Sequence, residues 1–260
     1  AMRYVEIDAA LCKRDGLCAA VCPLGLLKMD DDGEPPRPDS DLASVCLVCG
    51  HCQAVCPHGA LQLVKEREGV DPSECEGIDK KQLPGPDAVK LLFKSRRSIR
   101  RFKEKALDRE ELSSIIDVAR YAPSGQNVQS VNWIAVTTRK SMERIIDLVV
   151  EWMEREVEGN PAQAKAFHFP GIIKAWSKGK DIVFRGAPNL LAAHAPLKAV
   201  TPELDAVIAC AHAELAAHGM GFGACWAGYF LMAAKSSREI REHFGAPPDH
   251  AIYGALFMGR

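Results

Sequence analysis

Two stretches decide the fold of the first part of the chain: CKRDGLCAAVCP at residues 12–23 and CLVCGHCQAVCP at residues 46–57. When one is shifted by 34 residues onto the other, three cysteines and the final proline coincide. The runs differ at the second ligand position, where Asp15 stands opposite Cys49. Iron in iron–sulfur clusters takes soft thiolate ligands at this spacing. The repeat therefore predicts a protein that moves single electrons.

The repeat resembles the bacterial two-cluster ferredoxins, in which three cysteines of a run hold one cluster and the fourth crosses to the other. The resemblance implies a first cluster held by Cys12, Cys18 and Cys56, with Asp15 at the remaining corner. It implies a second cluster held by Cys46, Cys49, Cys52 and Cys22. Zinc and disulfides are the alternatives, although zinc sites usually take two paired ligands from each side.

Asp15 leaves three interpretations open. Its carboxylate ligates the fourth iron of a 4Fe-4S cluster, or the corner is empty and the cluster is of the 3Fe-4S type. In the third interpretation Asp15 points to solvent and water or another group is the ligand. Ligand type and net charge set the potential and the stability of such a cluster, so the two clusters are expected to differ.

The overall charge balance argues against whole classes of partner. The 33 basic and 34 acidic side chains nearly cancel, which favours neither nucleic acid nor membrane binding. Residues 1–87 carry a net charge of −7 and residues 88–260 a net charge of +6. This division suits an acidic electron carrier joined to a basic site for an anionic cofactor, and ordinary variation in surface composition is the alternative.

Cysteine usage and hydropathy predict the compartment. Seven of the ten cysteines lie in the two runs, and thiols that bind clusters must stay reduced. No signal-peptide pattern opens the chain, and no apolar run approaches the ~18 residues that a membrane span needs. We expect a cytoplasmic protein.

Three segments are expected along the chain. Residues 1–68 form the cluster domain, residues 69–87 a linker rich in Gly and Pro, and residues 88–260 a larger domain. Short strands are predicted at 4–7 and 61–64. Short elements suffice there because clusters act as the core of a domain too small to bury much apolar surface.

Longer helices and strands alternate in the larger domain. The Asp108-x-x-Glu111 capping box predicts the start of one helix and Ser141 is predicted to open another. Thr201-Pro202 predicts a third helix, which runs to Gly219. Strands are predicted at 133–137, 188–193 and 251–258. The mixture predicts an α+β fold with helices packed on a central sheet.

Three motifs follow one another in this domain: RRSIRRF at 96–102, APSGQNVQ at 122–129 and GMGFGACW at 219–226. Arginine forks and a hydroxyl suit a terminal phosphate. Small residues let the backbone approach a planar ring, and hydroxyl and amide groups can meet the polar edge of that ring. Each motif alone has a plainer explanation, namely a solvated basic face, a helix-capping loop and a turn.

Taken in this order, with RGAP at 185–188 and the terminal MGR at 258–260, the motifs resemble the nitroreductase family of flavoproteins. The resemblance covers residues 88–260. It implies FMN as the cofactor, an α+β sandwich, and a homodimer with FMN at the subunit interface. With the ferredoxin-like runs in front, the whole chain resembles the ferredoxin-fused branch of that family.

The resemblance also implies roles for individual residues. The FMN phosphate would be held by Arg96, Arg97, Ser98 and Arg100, with Arg260 as a further candidate. The isoalloxazine ring would be lined by Ser124, Asn127 and Gln129, some of them from the partner subunit, with Gly223 and Trp226 nearby.

Residues 152–184 show no clear core pattern and are rich in aromatic side chains. In the family this region often forms a mobile flap over the flavin, where aromatic rings could sandwich a planar substrate. A helix pair that packs the dimer interface is the alternative. His168 is a candidate proton donor in this region, although a lone histidine is more often structural.

The expected function follows from both resemblances. A ferredoxin-like or other low-potential donor reduces the clusters, and reduced FMN transfers a hydride to a small acceptor. The resemblance implies a nitroaromatic, a quinone or an activated alkene as that acceptor. Two alternatives stay open: a subunit that relays electrons to a protein partner, and a nicotinamide-dependent flavin reductase with vestigial clusters.

Overall fold

The computed structural model describes residues 3–30, 33–65 and 78–260. Its contacts divide the chain into two compact units, Ala1–Leu83 and Pro84–Arg260. The predicted linker at 69–87 lies partly outside the described residues, and its boundaries remain predictions. No helix in the described part of the chain has the length and apolar character needed to cross a lipid bilayer.

The first unit is built from short elements. In chain order they are β1 (Val5–Ile7), α1 (Leu17–Ala20), β2 (Leu27–Lys28), β3 (Arg37–Pro38), α2 (His51–Val55) and β4 (Leu61–Leu63). Strand β1 pairs antiparallel with β4, and β2 pairs antiparallel with β3. The β1–β4 pair confirms the two short strands that the sequence predicts at the ends of the cluster domain.

A small apolar core lies beneath these strands. Val5 and Leu63 are opposite each other in the β1–β4 register, and both are buried. The hydroxyl of buried Tyr4 donates a hydrogen bond to the carbonyl of Leu26. The core of this unit is therefore formed by few residues, and cysteines of both runs pack against it.

The second unit contains one sheet and eight helices among the described residues. Its helices are α3 (Pro86–Ser95), α4 (Arg109–Ala119), α5 (Arg139–Gly159), α6 (Pro161–Ala166), α7 (Phe169–Trp176), α8 (Pro202–Gly219), α9 (Gly228–Ser236) and α10 (Arg238–His243). Its strands are β5 (Asn132–Val136), β6 (Asn189–Pro196), β7 (Gly223–Trp226) and β8 (His250–Gly259). The strands form an antiparallel sheet in the order β5-β6-β8-β7.

Both faces of this sheet are covered by helices. Successive side chains of the central strand β6 are buried in different cores. Leu190 and Ala192 pack with residues of α5 and α9, whereas Leu191 packs with residues of α4 and α8. The sheet is therefore the middle layer of a helix–sheet–helix arrangement, as the sequence predicts.

The local predictions are largely confirmed. Asp108 and Glu111 form the predicted capping box at the start of α4, and α8 begins at Pro202 and ends at Gly219. The prediction that Ser141 opens a helix is wrong by two residues. Helix α5 begins at Arg139 because the Thr138 side chain caps it, accepting a hydrogen bond from the Ser141 amide at 3.2 Å.

Candidate functional site

The two cysteine runs of the first unit have the same backbone conformation. Gly16 and Gly50, at the starts of α1 and α2, both have φ of 72°. Two residues earlier, Arg14 and Val48 are both left-handed, with φ of 61° and 52°. The repeat in the sequence is therefore also a repeat in the structure.

Among the described residues of this unit, two cavities each take cysteines from both runs. The first cavity is lined by Cys12, Cys18 and Cys56, together with Asp15. The second is lined by Cys46, Cys49, Cys52 and Cys22. The structure thus brings together the residues of each crossed ligand set.

The two cavities differ in the side chains around the cysteines. The charged or polar residues Lys13, Arg14 and His58 line the first. Leucines dominate the lining of the second: Leu24, Leu26, Leu27, Leu47 and Leu63. A group bound in the first cavity would lie beside more charged and polar side chains than a group bound in the second.

The crossing cysteines accept matching hydrogen bonds. The amide of Leu26 donates to Cys22 Sγ at 3.4 Å, and the amide of Ala60 donates to Cys56 Sγ at 3.3 Å. Hydrogen bonds to sulfur ligands are among the factors that set cluster potentials. This factor is shared by both halves of the repeat, so it does not distinguish the two sites.

The equivalent cysteines Cys18 and Cys52 are shielded from solvent. Burial raises the pKa of the Cys18 thiol, and it raises the pKa of Cys52 to about 11. Because the thiolate is the form that binds metal, ligation must supply the free energy that removes these protons.

Asp15 lies at the exposed side of the first cavity. Its Oδ1 atom accepts a hydrogen bond from the Leu17 amide at 3.1 Å, whereas its counterpart Cys49 is partly buried. Within the described ranges, no three His, Cys, Asp or Glu side chains are placed to hold a single metal ion. The ligands of a cluster bind different irons and surround a cavity, which is the arrangement of both sets here.

The RRSIRRF segment of the second unit lies along β7 and the end of β8. The amide of Ile99 donates to the Ala224 carbonyl at 3.0 Å, and the amide of Lys103 donates to the Arg260 carbonyl at 2.7 Å. A Cβ atom at Gly223 would lie 2.8 Å from the Ile99 side chain. Only glycine allows this approach, which joins the arginine-rich segment to the sheet.

A buried carboxylate joins two of the predicted cofactor residues. Glu214 Oε1 accepts from Arg96 Nη1 at 2.9 Å, and Glu214 Oε2 accepts from Trp226 Nε1 at 3.3 Å. The Glu214 side chain is 9% exposed and that of Arg96 is 32% exposed. Arg96 is therefore held in place by α8, while part of its guanidinium faces outward.

Arg260 lies near the same edge but contacts other partners. Its guanidinium pairs with Glu111 of the α4 capping box and stacks over the Phe222 ring at 5.3 Å. Its buried Nε atom has no hydrogen-bond partner among the described residues. Arg97 and Arg100 are exposed and Ser98 is partly exposed.

The APSGQNVQ loop is closed by its own hydrogen bonds. The amide of Gln129 donates to Ser124 Oγ at 3.0 Å, and Gln129 Nε2 donates to Asn127 Oδ1 at 3.1 Å. All three residues predicted to line the flavin are thus in mutual contact. Gln126, Asn127 and Gln129 have φ of 51°, 54° and 50°, which is unusual for residues other than glycine.

The structure groups the predicted residues into two sets. Arg96, Gly223, Trp226 and Arg260 lie at the β7–β8 edge, whereas Ser124, Asn127 and Gln129 form a separate loop, tied to the first turn of α8. The amide of Gly125 in that loop donates to Asp205 Oδ1 at 3.0 Å. Helix α8 therefore contacts both sets, through Asp205 and Glu214.

Sequence reasoning missed both of these acidic residues. The available signal was composition, because Glu214 is the only acidic residue in the stretch 206–219, which is apolar apart from His212 and His218. It also missed strand β7, whose glycine-rich sequence favoured a turn.

Residues 152–184 form the end of α5 and the helices α6 and α7. Trp152 and Phe169 are buried and pack edge to face, with ring centroids 5.2 Å apart. They belong to the core and are not available to sandwich a substrate. Phe167 is 44% exposed, and His168 is an exposed residue with φ of 58° at the start of α7.

Comparisons with known proteins place both units in families. Residues 93–260 match the nitroreductase family, and residues 11–60 match the 4Fe-4S dicluster domain. No curated protein matched the chain.

Solved structures match the larger unit. A nitroreductase with bound FMN from Desulfitobacterium hafniense is 23% identical, with a TM-score of 0.55, covering 68% of this chain and 90% of that one. A nitroreductase with bound FMN from Bacteroides fragilis is 23% identical, with a TM-score of 0.53 and coverage of 66% and 87%. A BluB-like flavoprotein from Clostridium difficile is 20% identical, with a TM-score of 0.52 and coverage of 66% and 89%.

These likenesses confirm the expected α+β nitroreductase-like fold preceded by a small ferredoxin-like domain. The family match also confirms the expected enzyme class, an oxidoreductase. The family match spans more than half of the chain. The chain therefore belongs to the nitroreductase family and carries a 4Fe-4S dicluster domain ahead of its nitroreductase domain.

Proposed function

We propose that the protein is an FMN-dependent oxidoreductase that receives electrons through two iron–sulfur clusters. The acceptor that it reduces by hydride transfer is a small nitroaromatic, quinone or activated alkene. One observation carries the proposal: the chain that contains a nitroreductase domain also contains two cavities, each lined by a crossed set of cluster ligands.

The donor chemistry of the first unit fits two clusters. Cys46, Cys49, Cys52 and Cys22 supply four thiols around the apolar cavity, which suits a 4Fe-4S cluster. Cys12, Cys18 and Cys56 supply three thiols around the first cavity, and Asp15 supplies an exposed carboxylate. The first site therefore holds a 4Fe-4S cluster whose fourth ligand is Asp15, water or another group, or it holds a 3Fe-4S cluster.

The arginine-rich edge of the second unit fits a phosphate. The guanidinium of Arg96 has five N–H donors and its ion pair with Glu214 engages only one side of it. Arg97, Ser98 and Arg100 add exposed or partly exposed donors on the same segment. The buried Nε of Arg260, without a partner among the described residues, is a further donor that a bound group could satisfy.

The loop containing Ser124, Asn127 and Gln129 supplies the polar groups for the ring of FMN. Gly223 and Trp226 lie on β7 beside Arg96. Nitroreductases of the same fold contain bound FMN, which supports this assignment.

When bound, FMN supplies hydride transfer and the clusters supply single electrons. The protein's part is to bind and orient these groups. Arg96 neutralises phosphate charge, and the loop from Ser124 to Gln129 orients the ring. His168 is the candidate proton donor because it is exposed beside a groove lined by Pro161 and Lys165.

A homodimer is part of the proposal, with FMN at its interface. Helix α8 exposes Leu204 (58%) and Val207 (39%), and α3 exposes Leu91 (67%) and Phe93 (60%). Exposed apolar side chains on neighbouring helices are typical of interaction surfaces. A second copy of the chain would cover them.

The remaining assignments follow from the cofactors. The electron donor is a ferredoxin-like protein or another low-potential carrier, because single-electron clusters receive its electrons. The cytoplasm is the proposed compartment, because the cluster ligands must stay reduced.

Composition and turnover test the proposal together. The protein is purified without air, iron, sulfide and FMN are measured, and reduced ferredoxin is supplied with each acceptor class in turn. We expect about one FMN and about seven or eight irons per chain, with turnover of at least one acceptor. Full cofactor content without any turnover would favour a relay subunit, and FMN without iron would contradict the role of the cysteine runs.

A further inference from the structure

Asp205 ties the flavin loop to helix α8 through a single oxygen atom. It lies in the first turn of α8 and is 2% exposed. Its Oδ1 atom accepts a hydrogen bond from the Gly125 amide at 3.0 Å and another from Thr201 Oγ1 at 2.8 Å. The loop and the start of the helix therefore share one acceptor.

The loop backbone is pressed against this anchor. A Cβ atom at Gly125 would lie 2.2 Å from Thr201 Oγ1 and 3.4 Å from Val200 Cγ1. Any side chain at position 125 would therefore displace the loop or the Thr201 hydroxyl, and either movement disturbs the hydrogen bonds to Asp205.

Directly after the anchor the backbone is strained. Gln126, Asn127 and Gln129 all have positive φ, and such conformations persist only where the surroundings enforce them. The anchor at Gly125 is the contact with α8 that immediately precedes this strained segment. Strain of this kind clusters at ligand sites.

The second carboxylate oxygen of Asp205, Oδ2, is buried and accepts no hydrogen bond from the described residues. A buried carboxylate oxygen without a donor is costly, and the positive end of α8 offsets only part of that cost. The fold therefore retains a buried carboxylate although only its Oδ1 atom accepts hydrogen bonds from the described residues.

We propose that Asp205 is a positioning residue for the flavin. It fixes Gly125 and so holds Ser124, Asn127 and Gln129 where their polar groups meet the isoalloxazine ring. The inference rests on the proposed FMN site and adds to it a residue that need not touch the cofactor.

Asp205→Ala, Asp205→Asn and Glu203→Ala test this in the full-length protein. FMN affinity is measured by fluorescence titration, together with the flavin absorption spectrum, the flavin midpoint potential and the melting temperature. Asp205→Ala is expected to weaken FMN binding about tenfold, the equivalent of one lost hydrogen bond, and to shift the spectrum and the potential. Asp205→Asn keeps an acceptor for Gly125 and is expected to bind FMN nearly as the wild type does. Glu203 is an exposed acidic residue of the same helical turn. Its variant should leave the FMN affinity, the flavin spectrum and the midpoint potential unchanged.

A second variant tests the contact between Gly125 and Asp205 by changing the loop residue. Gly125→Ala should disturb the same anchor, because its Cβ atom would clash with Thr201 Oγ1, and it should weaken FMN binding in the same way while leaving the Asp205 carboxylate in place. This variant decides the matter if Asp205→Ala fails to fold.

The possible results distinguish a failure of the inference about Asp205 from a failure of the proposed function. If the wild type binds FMN and the folded variants lose only thermal stability, with unchanged spectrum, potential and FMN affinity, Asp205 is merely structural and the inference is wrong. If the wild type binds no FMN, the proposed function itself is overturned, and the inference with it.

Discussion

The two units obtain their stability from different sources. Among the described residues, the first unit buries a cluster of nine apolar side chains, packed against cysteines that line two cavities. The second unit buries a cluster of twenty-six around a four-stranded sheet, with further clusters beside it. A core of nine side chains is small for an independently stable domain. The comparison predicts that the first unit depends on its proposed clusters for folding, whereas the second can fold around its own side chains.

The largest expected effect comes from removing a thiol of the apolar cavity. Cys52→Ser should remove at least about four of about eight irons. It should remove the remaining irons as well where the first unit unfolds, because metal-binding free energy is folding free energy in such domains and each cavity takes cysteines from both runs. Iron analysis and limited proteolysis measure both effects.

Cys210→Ala is the matched control for this change. Cys210 is a buried thiol of the second unit, so its removal should leave the iron content unchanged. Full iron content and a protease-resistant first unit in Cys52→Ser would contradict the prediction that the first unit depends on its clusters for folding.

The next effect sharpens the contrast between the two cavities. Asp15→Cys gives the first run the spacing of the second, and it should convert any 3Fe-4S signal into a 4Fe-4S signal by EPR. The reciprocal Cys49→Asp should give the second site the behaviour of the first. An unchanged cluster spectrum in Asp15→Cys would show that Asp15 does not control this corner.

A smaller effect is expected in the second unit. Glu214→Gln removes the negative charge that holds Arg96 and should lower the free energy of unfolding by about 1–3 kcal/mol. Saturating FMN should recover part of the loss, because its phosphate provides a new partner for Arg96. Chemical denaturation with and without FMN measures this.

The matched control is an ion pair on the surface. Arg139 and Glu143 are paired at 2.7 Å and are largely exposed, so Glu143→Gln should cost about 0.5 kcal/mol or less. Equal losses in the two variants would mean that Glu214 acts as an ordinary surface charge.

The smallest expected effect is a pH dependence within the sheet. His194 Nδ1 and His250 Nδ1 are 2.8 Å apart, and burial, followed by the charge of His250, lowers the pKa of His194. The folded state therefore binds fewer protons than the unfolded state as the pH falls. The stability of the second unit should be complete above the ordinary histidine pKa of about 6.5 and should decrease below it.

Melting temperatures between about pH 8 and pH 5 check this prediction across the ordinary histidine range. His194→Gln should reduce the slope, and His243→Gln, which alters an exposed histidine, should not. A wild-type melting temperature that does not fall towards pH 5 would contradict the expected sign.

The parts of the protein that were predictable are those determined by local sequence. The candidate ligands of the first unit lie within two short runs, so the resemblance of these runs to two-cluster ferredoxins was enough to group the cysteines as they line the two cavities. The capping box of Asp108 and Glu111 spans four residues and was equally visible.

The rest depends on contacts between distant positions. Glu214 meets Arg96 across 118 residues, and Asp205 meets Gly125 across 80. The hydrophobic periodicity of the sequence does not predict such pairs, because they form only when helix α8 packs on the sheet. Likewise, the aromatic-rich sequence suggested a flap that includes Trp152 and Phe169. The chain bends between α5, α6 and α7, so no single helical periodicity shows that these two residues share a core.

The most direct test of the account is the order in which the redox groups are reduced. The anaerobic protein is mixed rapidly with dithionite-reduced ferredoxin, and visible spectra and freeze-quenched EPR spectra are recorded over time. The account predicts that the cluster signals change first and that flavin bleaching follows, and that Cys52→Ser delays the bleaching. Rapid bleaching of the flavin by NADPH, with oxidised clusters throughout, would contradict the claim that the clusters feed the flavin.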